Sequence, residues 1–119
     1  MKKIIHVDNS EFFRKLMKTF LEAEGFEVES FESAQEAEIV IGAGAADMVI
    51  MGLTFADIDG EKFVSRTVES FAGPVIVVSS SADNKEREER LIDLGIKAAI
   101  DKSGPWKESL KPYLSVLKQ

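Results

Sequence analysis

The feature that most constrains this chain is an alternation of two hydrophobic periods, repeated five times. Short apolar or alternating runs lie at residues 4–7, 26–31, 48–51, 75–78 and 98–100, each of strand length and most rich in Val, Ile or Phe. Between them apolar residues recur at three- and four-residue spacing, the pattern of a helix with one buried face. The first such segment follows Ser10, a favoured N-cap type. It places Phe13, Leu16, Met17, Phe20 and Leu21 on one face and stops at Gly25. The second opens on Ser33 and Glu36, a capping-box pair, and carries Ala37, Val40 and Ile41. A third follows Gly60 with Phe63, Val64, Thr67, Val68 and Phe71 inward, and ends at Gly73-Pro74. The fourth covers about residues 83–94, with Gly95 as its stop. The last starts near Ser103 and sets Trp106, Leu110, Leu114 and Leu117 on one stripe. Pro112 lies inside that stripe, which predicts a kink or a break there, or a short helix ending near Lys111.

Five strands alternating with five helices predict a single α/β domain over residues 1–119, with a parallel sheet covered by helices on both faces. The first, third and fourth runs are short and apolar, with His6 the exception in the first, as strands buried on both sides require. The second run, Phe26-Glu27-Val28-Glu29-Ser30-Phe31, alternates apolar and polar residues and fits a sheet edge. That pattern suits the doubly wound, flavodoxin-like order 2-1-3-4-5, in which ligands sit at the carboxyl ends of the strands near the switch between strands one and three.

Charge and residue inventory remove several function classes. A net charge of -6 argues against a non-specific nucleic-acid binder, which needs a basic face to displace counterions. With no Cys, disulfides, thiolate metal sites and Cys nucleophiles are excluded, and the single His excludes a two-His metal site. The apolar run at residues 4–7 is too short for a signal peptide or a membrane span, so the expected compartment is the cytoplasm, with no membrane partner.

The expected strand ends carry polar groups. Strand one ends in Asp8-Asn9-Ser10, strand three in Met51-Gly52, strand four in Ser79-Ser80 and strand five in Asp101-Lys102. Polar residues ordinarily begin where strands stop. Four strands delivering an acid, an amide, hydroxyls and a lysine to one rim nevertheless predict a pocket. On these residues the chain resembles the receiver domain of two-component response regulators, the fold of the small chemotaxis regulator. The stretches that carry the resemblance are Lys3-Ile4-Ile5-His6-Val7-Asp8-Asn9-Ser10, Asp47-Met48-Val49-Ile50-Met51-Gly52 running to Asp57-Ile58-Asp59-Gly60, Pro74-Val75-Ile76-Val77-Val78-Ser79, Leu94-Gly95 and Asp101-Lys102. They span the chain in the family's order and spacing.

The resemblance implies a pocket in which an acid pair after strand one holds Mg²⁺. An Asp ending strand three accepts a phosphoryl group from a phosphohistidine, and a Ser or Thr after strand four and a Lys after strand five contact that group. The residue types suit the chemistry, since phosphoryl transfer uses a carboxylate nucleophile while Mg²⁺ and Lys neutralise charge on the phosphoryl oxygens. This sequence departs from the pattern at that pocket. The phosphoacceptor position is Gly52, and the second acid is Asn9, leaving Asp8 as the single carboxylate of the usual three. Ser79 and Lys102 are retained, the aromatic switch position is Ala99, and the Pro expected after the Lys is Ser103. Removing two repelling carboxylates lets Asp8 face Lys102 as one balanced pair, and predicts weak or absent Mg²⁺ binding through Asp8 and no required cofactor.

Other residues carry two readings each. His6 is a hydrogen-bonded core histidine or a pH-sensing group. The charge-rich run from Asp83 through Lys85, Glu86, Arg87, Glu88, Glu89 and Arg90 is a solvated helix face laced with pairs such as Glu86–Arg90, or a partner surface. Trp106, after Pro105, is an exposed interface anchor or a core residue. Asp57 and Asp59 belong to the loop leading to Gly60.

The sequence therefore points to a non-enzymatic, atypical receiver that binds a protein partner through the helix-four, strand-five and helix-five face without phosphorylation at Gly52. The alternative is a conventional phosphorylated regulator using a displaced acid, Asp8 or Asp57. An enzyme or nucleotide binder on the same fold lacks a G-x-G-x-x-G or P-loop pattern and any nucleophile–base pair. Weak anion binding by Lys102, Ser79 and the start of the first helix stays open.

Overall fold

The computed structural model describes residues 1–80 and 84–119. Its elements alternate throughout: β1 (Lys3–Val7), α1 (Glu11–Ala23), β2 (Glu27–Phe31), α2 (Ala34–Gly42), β3 (Met48–Met51), α3 (Gly60–Ser70), β4 (Val75–Ser79), α4 (Lys85–Leu94), β5 (Ala98–Asp101) and α5 (Trp106–Lys118). The five strands form one parallel sheet in the order β2-β1-β3-β4-β5. This is the doubly wound, flavodoxin-like arrangement expected from the periodicity.

Alternation along each strand sorts the core into two layers. Ile4, Ile50, Ile76, Val78 and Ile100 pack under α1 and α5 with Phe13, Met17, Leu21, Trp106, Leu110 and Leu114. Ile5, Val7, Val49, Met51, Val75 and Val77 pack under α2, α3 and α4 with Ala37, Ile41, Phe63, Val64 and Leu91. The central strands are buried on both faces, whereas the edge strand β2 keeps Glu27 exposed and sets Glu29 2.7 Å from Lys3 Nζ. Both sequence-predicted caps form: Ser10 Oγ accepts from Phe13 N at 3.2 Å, and Ser33 Oγ from Glu36 N at 3.2 Å. Gly60 has no alternative, because a Cβ there would lie 2.0 Å from the carbonyl oxygen of Leu53.

Several details differ from the sequence-based expectation. α5 begins at Trp106 and not near Ser103, whose amide instead donates to Asp101 Oδ1 at 3.0 Å in the turn after β5. The helix also runs unbroken through Pro112 to Lys118, so it does not end near Lys111. Pro112 and Glu108 both face solvent, so the carbonyl deprived of its amide partner can be met by water, while Leu110 and Leu114 hold the helix to the sheet. Leu16 is 37% exposed, so the buried stripe of α1 is narrower than the spacing indicated.

Trp106 is buried, edge-on to Phe13 at 5.0 Å and to Phe20 at 5.5 Å between ring centroids, and is not an exposed anchor. His6 is fully buried but neither ring nitrogen has a hydrogen-bond partner among the described residues, against the expectation of a hydrogen-bonded core histidine. Its neighbours are Phe13 and the register partners Ser30 and Ile50, which offer it no acceptor in reach. The expected start of the fourth helix at Asp83 lies outside the described residues; from Asn84 onward, Asn84 Oδ1 caps α4 by accepting from Arg87 N at 3.1 Å.

Candidate functional site

The parallel ladder determines which residues meet at the carboxyl edge of the sheet. Asp8 follows β1 and its amide donates to Phe31 O at 3.0 Å; Gly52 follows β3 and its amide donates to Val7 O at 2.9 Å; Lys102 follows β5 and its amide donates to Ser79 O at 3.0 Å. These main-chain bonds tie β1 to β2, β3 to β1 and β5 to β4 just past the strand ends, and the side chains there open onto one space. The result is a cleft of about 150 Å³ whose lining includes Asp8, Asn9, Gly52, Thr54, Ser79 and Lys102.

Asp8 organises the cleft. Its side chain is 1% exposed, its Oδ1 accepts from Ser10 N at 2.8 Å, and its Oδ2 lies 2.9 Å from Lys102 Nζ. The lysine is also held from the other side, its ammonium 4.3 Å from the centroid of the Phe13 ring. Gly52 leaves room for this geometry: a Cβ built on it would stand 3.0 Å from Asp8 Oδ2 and 3.5 Å from Asp8 Cγ. The carboxylate therefore leans into the space that a side chain at position 52 would need.

The donor set does not fit Mg²⁺ as the family would hold it. Among the described residues Asp8 is the one carboxylate lining the cleft, and its two oxygens already meet an amide and an ammonium. No group of three or more His, Asp or Glu side chains among the described residues could hold a metal ion.

The remaining sequence-predicted residues separate. Asp57 is away from the cleft, in a hollow of about 200 Å³ with Glu38, Ile58 and Arg66. There it bridges to the amino end of α2, accepting from Gln35 N at 2.9 Å and Ala34 N at 3.4 Å, and these bonds, the Gln35 amide foremost, hold its carboxyl below the usual range. Asp59 caps α3, its Oδ2 accepting from Lys62 N at 3.1 Å. Ala99 is half-buried on β5, on the side of the sheet that faces α4.

The pairing expected within α4 is replaced by one across to α3. Arg87 Nε lies 3.1 Å and Arg90 Nη2 3.2 Å from Glu61 Oε2, and hydrogen bonding from Arg90 holds the Glu61 carboxyl below its ordinary range. Leu53 and Thr54 in the cleft lining, and Phe13 beneath Lys102, escaped the sequence reading of the site. Thr54 enters because the chain turns back after Gly52, in a bridge from Thr54 to Asp59 that no local motif announces. Phe13 reads as core, and its second role under Lys102 depends on how α1 crosses the sheet.

Comparison with known proteins matches these features to one family. Residues 4–111 match the model of the response regulator receiver domain. The chain is 31% identical over 107 residues to the chemotaxis protein CheY of Halobacterium salinarum, covering 85% of this chain and 84% of that protein. It is 27% identical over 86 residues to the regulatory protein VanRc of Enterococcus gallinarum, covering 72% of this chain but only 37% of VanRc. The non-phosphorylated HemR receiver domain of Leptospira biflexa superposes with a TM-score of 0.86 at 26% identity, over 100% of this chain and 96% of that one. In family match, strand order and the convergence of four strand ends on one rim, the chain belongs to the response regulator receiver domains of two-component signalling.

Proposed function

We propose that this receiver domain is an atypical, non-enzymatic one, which engages a protein partner without phosphorylation at the position after β3. The observation that carries this reading is the Asp8–Lys102 pair. The carboxylate that would be a metal ligand is bound to the lysine that would meet a phosphoryl group, and it occupies the approach to Gly52, which has no side chain to accept one. Mg²⁺ is then weakly bound or not bound, because a cation must compete with the Lys102 ammonium for one buried carboxylate.

The site residues Asp8, Asn9, Gly52, Ser79 and Lys102 act as a fixed corner of the fold, and Ala99 leaves the switch position without an aromatic side chain to move. The partner surface is the face of α4, β5 and α5. Because Arg87 and Arg90 turn to Glu61 on α3, α4 offers Glu88 and Glu89 outward beside Ile92, which is 43% exposed, and α5 adds Val116 at 67%. Acidic side chains beside Ile92 favour a basic, amphipathic partner segment over α4, while α5 presents Lys107, Lys111 and Lys118. A displaced acceptor is disfavoured by burial at Asp8 and by the capping bonds of Asp57.

The test is intact mass after incubation with acetyl phosphate and Mg²⁺, for the native chain and for Gly52→Asp, with circular dichroism to confirm that the variant folds. The native chain is expected to stay unmodified while the variant gains one phosphoryl group. A modified native chain, with the group mapped to Asp8 or Asp57, overturns the proposal.

A further inference from the structure

The layer of α2, α3 and α4 has one seam that is bridged and one that is open. Between α3 and α4, Glu61 meets both Arg87 and Arg90. Between α2 and α3 two hollows of about 200 and 480 Å³ lie end to end. Both are lined by Glu38 and Arg66, whose ion pair at 2.7 Å ties the two helices together. The first hollow begins at Ala34 and Asp57, and the second ends at Gly42 and Glu69. From Ala34 to Gly42 is eight residues of helix, so the groove follows α2 for about 12 Å.

Two features of α2 serve neither its backbone nor its core. Ile39 is 74% exposed. It stands four residues after Gln35 and three before Gly42, which both line the hollows, so it forms a lip of the groove. Gly42 is the last residue of the helix, and its φ lies outside the left-handed region that favours glycine. Packing does not require it either, because a Cβ built there meets nothing within 4 Å. Glycine weakens a helix, and what its missing side chain leaves here is open space in the larger hollow.

The groove is also acidic. Asp57, Glu38 and Glu69 line it against Arg66, the one cation lining it among the described residues, and Glu38 neutralises that cation. A carboxylate is left at each end. Asp57 keeps an exposed position while it caps the first turn of α2, and Glu69 stands by the last turn, where free carbonyls add negative potential.

We infer that the seam between α2 and α3 is a docking site for a basic amphipathic helix of a partner protein. Lys or Arg residues two turns apart, at i and i+7, reach Asp57 and Glu69, and an aliphatic side chain beside the second seats over Gly42 against Ile39. Both walls are helices whose main-chain groups are bonded internally, so an extended segment would find no ladder to join, whereas a helix brings its own bonds. A second copy offering the same face would set carboxylates against carboxylates. Nucleic acid and anionic membranes are repelled by the same groups. The inference uses neither Gly52 nor the face of α4, β5 and α5, so it stands or falls apart from the proposed function.

The experiment titrates ¹⁵N-labelled chain with a synthetic peptide of about five helical turns, carrying lysines seven apart on a face of leucine and alanine. The control peptide has glutamates in place of the lysines. Amide shifts are expected along α2 and α3, with the glutamate peptide at least about tenfold weaker. Gly42→Leu fills the groove at a position where the added side chain starts in open space. It is expected to weaken binding about tenfold, with circular dichroism and melting temperature showing an intact fold. Glu69→Lys, on the surface, is expected to reduce the preference for the lysine peptide. Equal affinity of the native chain for both peptides overturns the inference, as does a Gly42→Leu chain that binds as the native one does. So do shifts confined to α4, β5 and α5, no shifts at about 1 mM peptide, or Ile39-dependent self-association in sedimentation equilibrium.

Discussion

The imidazole of His6 lies in the layer under α1 with no hydrogen bond to either nitrogen. Burial pushes its pKa down to about 4; Asp8 opposes that shift, while Lys102 and Arg14 add to it. In the unfolded chain the same group titrates near 6.5. Between those values the unfolded state binds the additional proton, so stability is complete above about 6.5 and declines as pH falls, by up to about 1.4 kcal/mol per pH unit. Urea denaturation across pH 7 to 4 is expected to show that slope in the native chain and to lose it in His6→Leu. An unchanged slope would assign the acid sensitivity to carboxylates instead. Asp8→Asn addresses the neighbouring pair. Asn keeps an acceptor for the Ser10 amide but leaves Lys102 without its counter-charge, and a loss of about 1–3 kcal/mol in chemical denaturation is expected. The range is set low because Lys102 is 25% exposed and water replaces part of the interaction.

At the scale of elements, local signals and packing-dependent ones part company. Ser10 and Ser33 were legible as caps because a cap is decided within four residues. The convergence of Asp8, Gly52, Ser79 and Lys102 was legible too, because a parallel sheet leaves its strand ends on one side once the alternation is recognised. What the chain does not announce is anything set by how one helix lies against another. Arg90 bonds Glu61, 29 positions away, in preference to the i,i+4 partner Glu86, and Trp106 of α5 packs on Phe13 and Phe20 of α1. Pro112 illustrates the contest directly. Local propensity argues for a break, and the burial of Leu110 and Leu114 on either side of it prevails. Pro112→Ala restores an amide to the Glu108 carbonyl at the expense of a more flexible unfolded chain. The expected net gain is about 1–2 kcal/mol, read as a rise in melting temperature. No gain would mean that the helix already absorbs the proline without loss.

For the whole molecule, the sheet order places β1 inside the sheet although it comes first in the chain, with β5 at the far edge and last. The bond between Asp8 and Lys102 therefore spans nearly the entire sequence, reaching from the end of β1 past β3 and β4. That has a kinetic meaning. Such a contact closes one of the longest loops in the chain, matched by that between Glu24 and Lys118, and its entropy cost falls only after the intervening strands have paired. The corner is accordingly a late event, formed on the native side of the folding barrier. In stopped-flow measurements Asp8→Asn is expected to unfold faster than the native chain while refolding at nearly the same rate. Equal slowing of refolding would place the corner in the nucleus. A chain emerging from a ribosome without its last strand would have β4 as its open edge and Asp8 without its counter-charge, so the charge pair forms only once synthesis has passed β5.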